Sequence, residues 1–392
     1  MGKMVQNRKQ MRNLIGIFKD KVSLIKAALS IKRGLPAASV HVAVLRATTH
    51  NPSLPPPPHR VSALLSLGRD SLPGAWALIA AVLHRLHATG DAYVALKCLL
   101  TLHHVLAQGS VVLKDQLGLR SVDIKSEPSV DEMNGQMGPS ALQGSQFLSF
   151  YPSTGGRNFL NLSRFRDKRD SETWELSSWV RWYAAVLERN LSVSRALGAF
   201  ISSPSHKEEV HVFMSSDLIT QLDCLVGMVE EICSAPESLE NQRNDLVYEA
   251  VNFVGDDYRS TQYRILARLG ELAERIDGLG SGELTELTRA LERLEGCRER
   301  LSAVFGNKKR NDAFWEAVGE TRGRAVEVEV EEERERGRCL VRVEGGESTR
   351  YRERVGRPSQ VLALPYGRDW RPVERLHFHI APAGPALALT SA

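Results

Sequence analysis

Carboxylates are almost missing from the first sixty residues, where Lys3, Arg8, Lys9, Arg12, Lys19, Lys21, Lys26, Lys32, Arg33, Arg46 and Arg60 face Asp20 alone. So basic a segment is drawn to an anionic partner, either nucleic acid or the cytoplasmic membrane leaflet. Cysteine is sparse and unpaired in spacing. Cys98, Cys224, Cys233, Cys297 and Cys339 make an odd set, which argues against a disulfide framework or a zinc site and for a reducing compartment. No apolar run is long enough to span a bilayer, Ala75 to Leu83 being among the longest, and charges up to Lys32 interrupt any signal-peptide core. Gln6 stands where myristoylation at Gly2 wants Ser or Thr. These absences predict a soluble intracellular protein.

Catalytic motifs are missing as well. The chain has no Gly-x-x-x-x-Gly-Lys-Ser/Thr loop, no Gly-x-Ser-x-Gly elbow and no His-Glu-x-x-His helix, so neither an enzyme nor a bound cofactor or metal is expected. His103 and His104 are helix neighbours pointing about 100° apart. They read as one core histidine bonded to backbone and one surface histidine. Trp174, Trp179 and Trp182 fall at helical spacing and read as core rather than as a platform for bases. No nucleic-acid-binding motif accompanies the basic end, so no nucleic-acid partner is expected.

What is present is helical periodicity. Hydrophobic residues make up 42% of the 392 positions, enough for a sizeable core. Residues 3–18 mix Met4, Val5, Met11, Leu14, Ile15, Ile17 and Phe18 with cations, which fits either an amphipathic helix that orders at a lipid surface or a frayed basic tail. Helical stripes follow from Asp20 to Lys32, from Val40 to Thr49 with Ser39 as cap, over Val61–Leu67, and over Gly74–Thr89. Asp91–Gln108 is apolar on nearly every side and is expected in the middle of the fold, with Asp91 and Gly109 as its caps.

Residues 120–150 lose periodicity and read as a disordered insertion. Helices resume around Trp174 and continue at Val210–Ile232, Asn241–Ser260, Gln262–Ile276 and Glu283–Phe305. The last carries a seam of Leu284, Leu287, Leu291, Leu294 and Leu301, too short for a dimerising coiled coil, so a monomer is expected. From residue 306 the chain is charge-dense and reads as a mostly disordered tail, with room for a short strand where Val326, Val328 and Val330 alternate with Glu. The ordered body is therefore all-α, a stack of helices forming a bundle or a solenoid.

One stretch gathers chemistry. Arg46-Ala47-Thr48-Thr49-His50 leads through Asn51-Pro52-Ser53-Leu54 and Pro55 to Pro58 to reach His59-Arg60, a loop between two helices. A multiply phosphorylated headgroup is met by converging Lys, Arg and His donors. Lys21, Lys26, Lys32 and Arg33 on the first helix, with Arg46, His50, His59 and Arg60 around the loop, can supply them. Charge alone slightly favours an ordinary solvated face.

The pattern basic-Ala-Thr-Thr-His, a proline-containing spacer, then basic residues and a histidine resembles the phosphoinositide-binding signature of the ANTH domain of clathrin assembly proteins. Tyr93–Gly109, Phe159–Asp167 and Trp174–Glu188 are similar to the family too, plant members in particular, so four blocks in order cover residues 20–305. The resemblance implies a right-handed superhelical stack, ENTH/VHS-like in its N-terminal part and extended by long antiparallel helices. This would be preceded by a basic arm over 1–19, interrupted at 120–150 and followed by the 306–392 tail. It further implies a peripheral adaptor that binds phosphoinositide membranes, promotes clathrin coat assembly through clathrin heavy chain and adaptor complexes, and selects SNARE cargo. Its implied place is the cytoplasmic face of clathrin-coated pits and vesicles, plasma membrane and Golgi.

By this likeness Arg46 takes the first basic position and His59 the final histidine, with His50, Arg60, Lys21, Lys26 and Lys32 as further lipid contacts. The chain departs where the family places lysines before that histidine: here stand Pro56, Pro57 and Pro58, without charge or N–H. It also carries no Asp-Pro-Phe, Asn-Pro-Phe or Asp-Leu-Leu peptide after residue 305. The alternative is a helical protein-interaction scaffold of the same ancestry that has lost lipid selectivity.

Overall fold

The computed structural model describes residues 11, 14–26, 37–51, 54–69, 71–120, 159–202, 209–237, 244–305 and 312–344. The chain divides into two units, residues 1–339 and 340–392, and the described elements lie in the first except for residues 340–344, which are helical. The described residues form helices α1 (14–26), α2 (Ala37–Ala47), α3 (Pro58–Leu67), α4 (Leu72–Ala88), α5 (Ala92–Gln108), α6 (Val111–Arg120), α7 (Ser171–Leu197), α8 (Ser215–Cys233), α9 (Asp245–Arg275), α10 (Ser281–Gly296), α11 (Arg298–Phe305) and α12 (Asp312–Glu344). No strand occurs among them, so the all-α stack expected from periodicity is the architecture observed.

Local chemistry sets the helix ends. Asp91 caps α5 by accepting from the Tyr93 and Val94 N–H groups at 2.9 and 3.2 Å. Asp170 opens α7 with a capping box closed by Thr173. Gly198 ends α7 at φ 67, a left-handed conformation that costs a residue with a Cβ far more. α2 begins at Ala37, so Ser39 lies inside its first turn rather than capping it.

α5 is the axis of the N-terminal half. From Ala92 to Leu106 every residue except His104 is buried, and it packs against α4, α7 and α9. Its contacts fix chain directions. Tyr93 near its start meets Glu172 at the start of α7 at 2.8 Å, and Leu106 O near its end accepts from Ser202 just after α7, so the two run in parallel. α7 and α8 run oppositely, since Trp182 Nε1 in the first half of α7 donates to Glu231 O near the end of α8.

The histidine pair departs from expectation. His103 bonds side chains, not backbone: its Nδ1 lies 2.9 Å from Tyr183 Oη and its Nε2 3.2 Å from Asp257, which also accepts from Asn190 at 2.6 Å. All four residues are buried, so a polar network closes the contact of α5, α7 and α9. His104 is half-buried edge-on to Phe253, and burial first, then the His103 charge, lowers its pKa to about 4. Of the tryptophans, Trp179 and Trp182 are core and meet edge to face at 5.4 Å, whereas Trp174 is exposed.

The leucine seam of α10 and α11 is buried in its own domain, as its spacing predicts. Two other expectations are corrected. The expected break at Ser260–Gln262 is the middle of the continuous α9. Residues 312–344, expected in a mostly disordered tail, form α12, and Val326 to Val330 are helix rather than strand. Phe314, Trp315, Val318 and Ala325 are buried there. The 120–150 insertion lies outside the described residues beyond Arg120, as do residues 1–10 of the basic arm.

Candidate functional site

α2 ends at Ala47; the Thr48 N–H and hydroxyl both still donate to the Val44 carbonyl, at 2.9 and 2.7 Å, and the chain then leaves the helix. The carbonyls that follow have no helix to satisfy them and are held from α4 and α5. Arg85 Nη2 donates to Thr48 O at 3.1 Å. Lys97 Nζ donates to Thr49 O at 3.0 Å and Asn51 O at 2.5 Å. Lys97 is 2% exposed, and burial lowers its pKa to about 8 against the pull of Asp20 and Asp91. The loop is thus clamped from below by a cation in the core.

The loop returns through prolines. Pro57 is extended and Pro58 occupies the first turn of α3, where a missing N–H costs nothing and the fixed φ favours the helix. Pro56 is buried and Pro57 half-buried. Their rings pack and offer no charge.

α1 docks on this loop through the only carboxylate of the first sixty residues. Asp20 accepts from His50 N at 2.8 Å and from His50 Nδ1 at 2.6 Å, and Arg85 approaches it at 3.3 Å. Burial pushes the Asp20 carboxyl up, but the His50 hydrogen bonds and the His50 and Arg85 charges outweigh it and hold the pKa below its ordinary value. Close approach needs Gly16: a Cβ there would sit 2.7 Å from His50 Cβ.

The residues named from sequence therefore fall into three groups. Arg46 and His59 are exposed on the two sides of the loop, and Lys21 and Lys26 are exposed on α1. His50 and Arg60 are half-buried and engaged inside the fold, His50 with Asp20 and Arg60 through Nη1 with the Arg46 carbonyl. Lys32 lies outside the described residues. Sequence reasoning missed Lys97, Asp20, Arg85 and Gly16. Two carried a signal: Lys97 is the one charge within the apolar run Tyr93–Leu102, and Asp20 is the one acid of the basic segment.

Beside the loop, α1 leaves Leu14, Ile15, Ile17, Phe18 and Ile25 exposed, with Phe18 at 67%, and Met11 before it is exposed as well. No group of His, Cys, Asp and Glu with metal-site geometry occurs among the described residues, and no described helix is long and apolar enough to cross a membrane.

The ANTH domain profile matches residues 39–151 of this chain. A protein of Arabidopsis thaliana named for clathrin assembly is 42% identical over 322 residues, which covers 79% of this chain and 80% of the relative. A second of the same plant and description is 32% identical over 317 residues, 77% of this chain and 82% of its own. A third is 28% identical over 331 residues, 80% and 99% respectively. With an all-α body and relatives alike over most of both chains, this chain belongs to the ANTH-domain family of clathrin assembly proteins.

Proposed function

We propose that the chain is a peripheral membrane adaptor, without catalytic activity, that binds phosphoinositide headgroups at the Arg46–Arg60 loop and promotes clathrin coat assembly. The observation that carries it is the Asp20–His50 clamp, which ties α1 to the loop. It joins exposed Lys21 and Lys26 to exposed Arg46 and His59, next to the exposed apolar residues of α1. Such a combination suits a headgroup layer, with cations toward phosphate and Leu, Ile and Phe toward the acyl boundary. Clathrin and adaptor-complex engagement and SNARE cargo selection come to this chain from its relatives' description and from the family resemblance; the same grounds favour the cytoplasmic face of coated pits and vesicles.

A second reading is favoured by Pro56, Pro57 and Pro58, which place uncharged rings where the family signature has lysines. A basic residue near an anionic surface is worth about 1 kcal/mol, so their loss weakens headgroup selectivity and leaves a protein-interaction scaffold. Vesicle flotation separates the two. Neutral phosphatidylcholine vesicles are compared with vesicles carrying a panel of phosphoinositides, for the wild type and for Arg46→Ala/His59→Ala. Selective binding that drops about fivefold or more in the variant supports the adaptor reading. Binding to anionic vesicles without headgroup preference, unchanged in the variant, favours the scaffold.

A further inference from the structure

We infer that residues 159–170, which precede α7, form a second contact for the headgroups of anionic phospholipids, on a loop held by the same two helices, α4 and α5, as the Arg46–Arg60 loop. The inference rests on the membrane-binding reading above and extends it to a surface that the signature does not include.

The sequence Phe159-Leu160-Asn161-Leu162-Ser163-Arg164-Phe165-Arg166-Asp167-Lys168-Arg169-Asp170 separates anchors from cations. Phe159, Leu160 and Leu162 are buried, whereas Arg164, Arg166 and Lys168 are exposed. Both carboxylates are turned to structural work. Asp167, 1% exposed, accepts from the Ala92 N–H at 3.0 Å and from Arg169, and its own N–H donates to Ser177 Oγ at 2.8 Å. Asp170 caps α7. Neither offsets the three outward cations. Among the described residues Arg164, Arg166 and Lys168 show no ion-pair partner, and Arg166 donates to the Phe165 carbonyl.

The segment lacks regular structure yet is held at many points. His87 Nε2 meets Leu160 O at 3.0 Å, Glu188 accepts from Leu160 N at 2.9 Å, Arg181 Nη1 donates to Phe165 O at 2.9 Å, and Arg169 bridges Asp167 to Asp91. A loop fixed in this way presents its cations with little ordering entropy left to lose on binding.

The α4–α5 corner relates this loop to the first. Arg85 holds Thr48 O, and two residues on His87 meets Leu160 O. Ala92 N holds Asp167, and further along α5 Lys97 holds Thr49 O and Asn51 O. The same two helices, α4 and α5, therefore hold both loops in a fixed relation. Two cationic patches on one rigid body meet a fluid anionic bilayer together, and the second contact is made at the high effective concentration set by the first. The cations of the second loop also stand in for charge that Pro56, Pro57 and Pro58 do not supply.

The experiment compares the full chain with Arg164→Ala/Arg166→Ala/Lys168→Ala, with Arg46→Ala/His59→Ala, and with Arg259→Ala/Arg289→Ala/Arg324→Ala as an equal charge loss on α9, α10 and α12. Vesicles are phosphatidylcholine alone or with phosphatidylserine and phosphatidylinositol bisphosphate. The second-loop variant is expected to bind the anionic vesicles about tenfold more weakly, the α9–α12 variant like wild type, and the charge-keeping Arg164→Lys/Arg166→Lys like wild type. Wild-type binding by the second-loop variant, with the Arg46/His59 variant impaired, overturns the inference and leaves the function reading intact. Impairment of the second-loop variant alone supports the inference and removes the first loop from the reading. A wild type that prefers no anionic vesicle overturns both. Should the triple variant unfold, a spin label at Arg164→Cys in a chain that also carries Cys224→Ser and Cys339→Ser decides, with the same chain lacking Arg164→Cys as the labelling blank. Burial of the label on anionic vesicles supports the contact, and unchanged exposure overturns it.

Discussion

A lysine in the core, donating to carbonyls of a surface loop, links a buried residue to the loop proposed to bind headgroups. Lys97 sits in α5 among Ala95, Leu96, Cys98 and Leu99, all fully buried, and burial lowers its pKa from 10.5 to about 8. Because the folded value lies below the unfolded one, the unfolded chain binds more protons between about pH 8 and 10.5. This group's contribution to stability therefore rises with pH through that window. Replacing Lys97 with Met removes the titration while keeping the volume. Denaturant unfolding of both proteins at pH 8 and pH 10 should show the wild type gaining about 1–2 kcal/mol relative to the variant. Parallel behaviour of the two would mean that the lysine titrates normally and does not clamp the loop as a buried cation. The network of His103, Tyr183, Asn190 and Asp257 uses the same logic without a surface outcome: polar groups are kept in the core because each has a partner.

At the scale of elements, α1 is a short helix whose apolar side chains are mostly exposed, so few contacts hold it. Its attachment depends on the Asp20–His50 pair and on the space that Gly16 leaves for His50. Asp20→Asn should loosen it, and Gly16→Leu should displace it; each change should speed amide exchange over residues 14–26 and leave α5 unaffected. Acid should act like Asp20→Asn. The Asp20 pKa is depressed, so the pair's contribution is present above about pH 3.8 and is lost as the pH falls through the still lower folded value. Elements with a single apolar face, such as α10, or with caps at both ends, such as α5, were legible from residue spacing alone. α9 was not legible as one helix, because Ser260 and Thr261 looked like a break. In the fold their hydroxyls return to the carbonyls of Asp256 and Asp257 at 3.1 and 2.8 Å, so they interrupt nothing. The docking of α1 was equally hidden, since it depends on one aspartate meeting a histidine thirty residues away. The ends of the signature loop were legible, but the clamp beneath it was not.

For the molecule as a whole, charge density around residues 312–336 concealed a structural helix. α12 buries Phe314, Trp315, Val318 and Ala325 at helical spacing, while Arg298 lies 5.7 Å over the Trp315 ring and Arg322 meets Glu295 at 3.3 Å. Thr285 donates to Glu329 at 2.6 Å, so α12 lies along α10 beyond its apolar turns. Fully burying one large apolar side chain is worth about 1.5–3 kcal/mol, and the exposed ion pair adds little. Ending the chain at Phe305 therefore removes about 5 kcal/mol, a large part of the 5–15 kcal/mol that typically separates folded from unfolded domains. The truncated chain should unfold at much lower denaturant concentration than the full chain, and Phe314→Ala/Trp315→Ala should reproduce most of the difference. Vesicle binding per folded molecule should stay unchanged, because the basic corner is built from α1 to α5 and the segment before α7. Equal stability of the truncated and full chains would show that α12 covers the domain without supporting it. Lost vesicle binding in a truncated chain that is still folded would mean that lipid contact reaches beyond that corner.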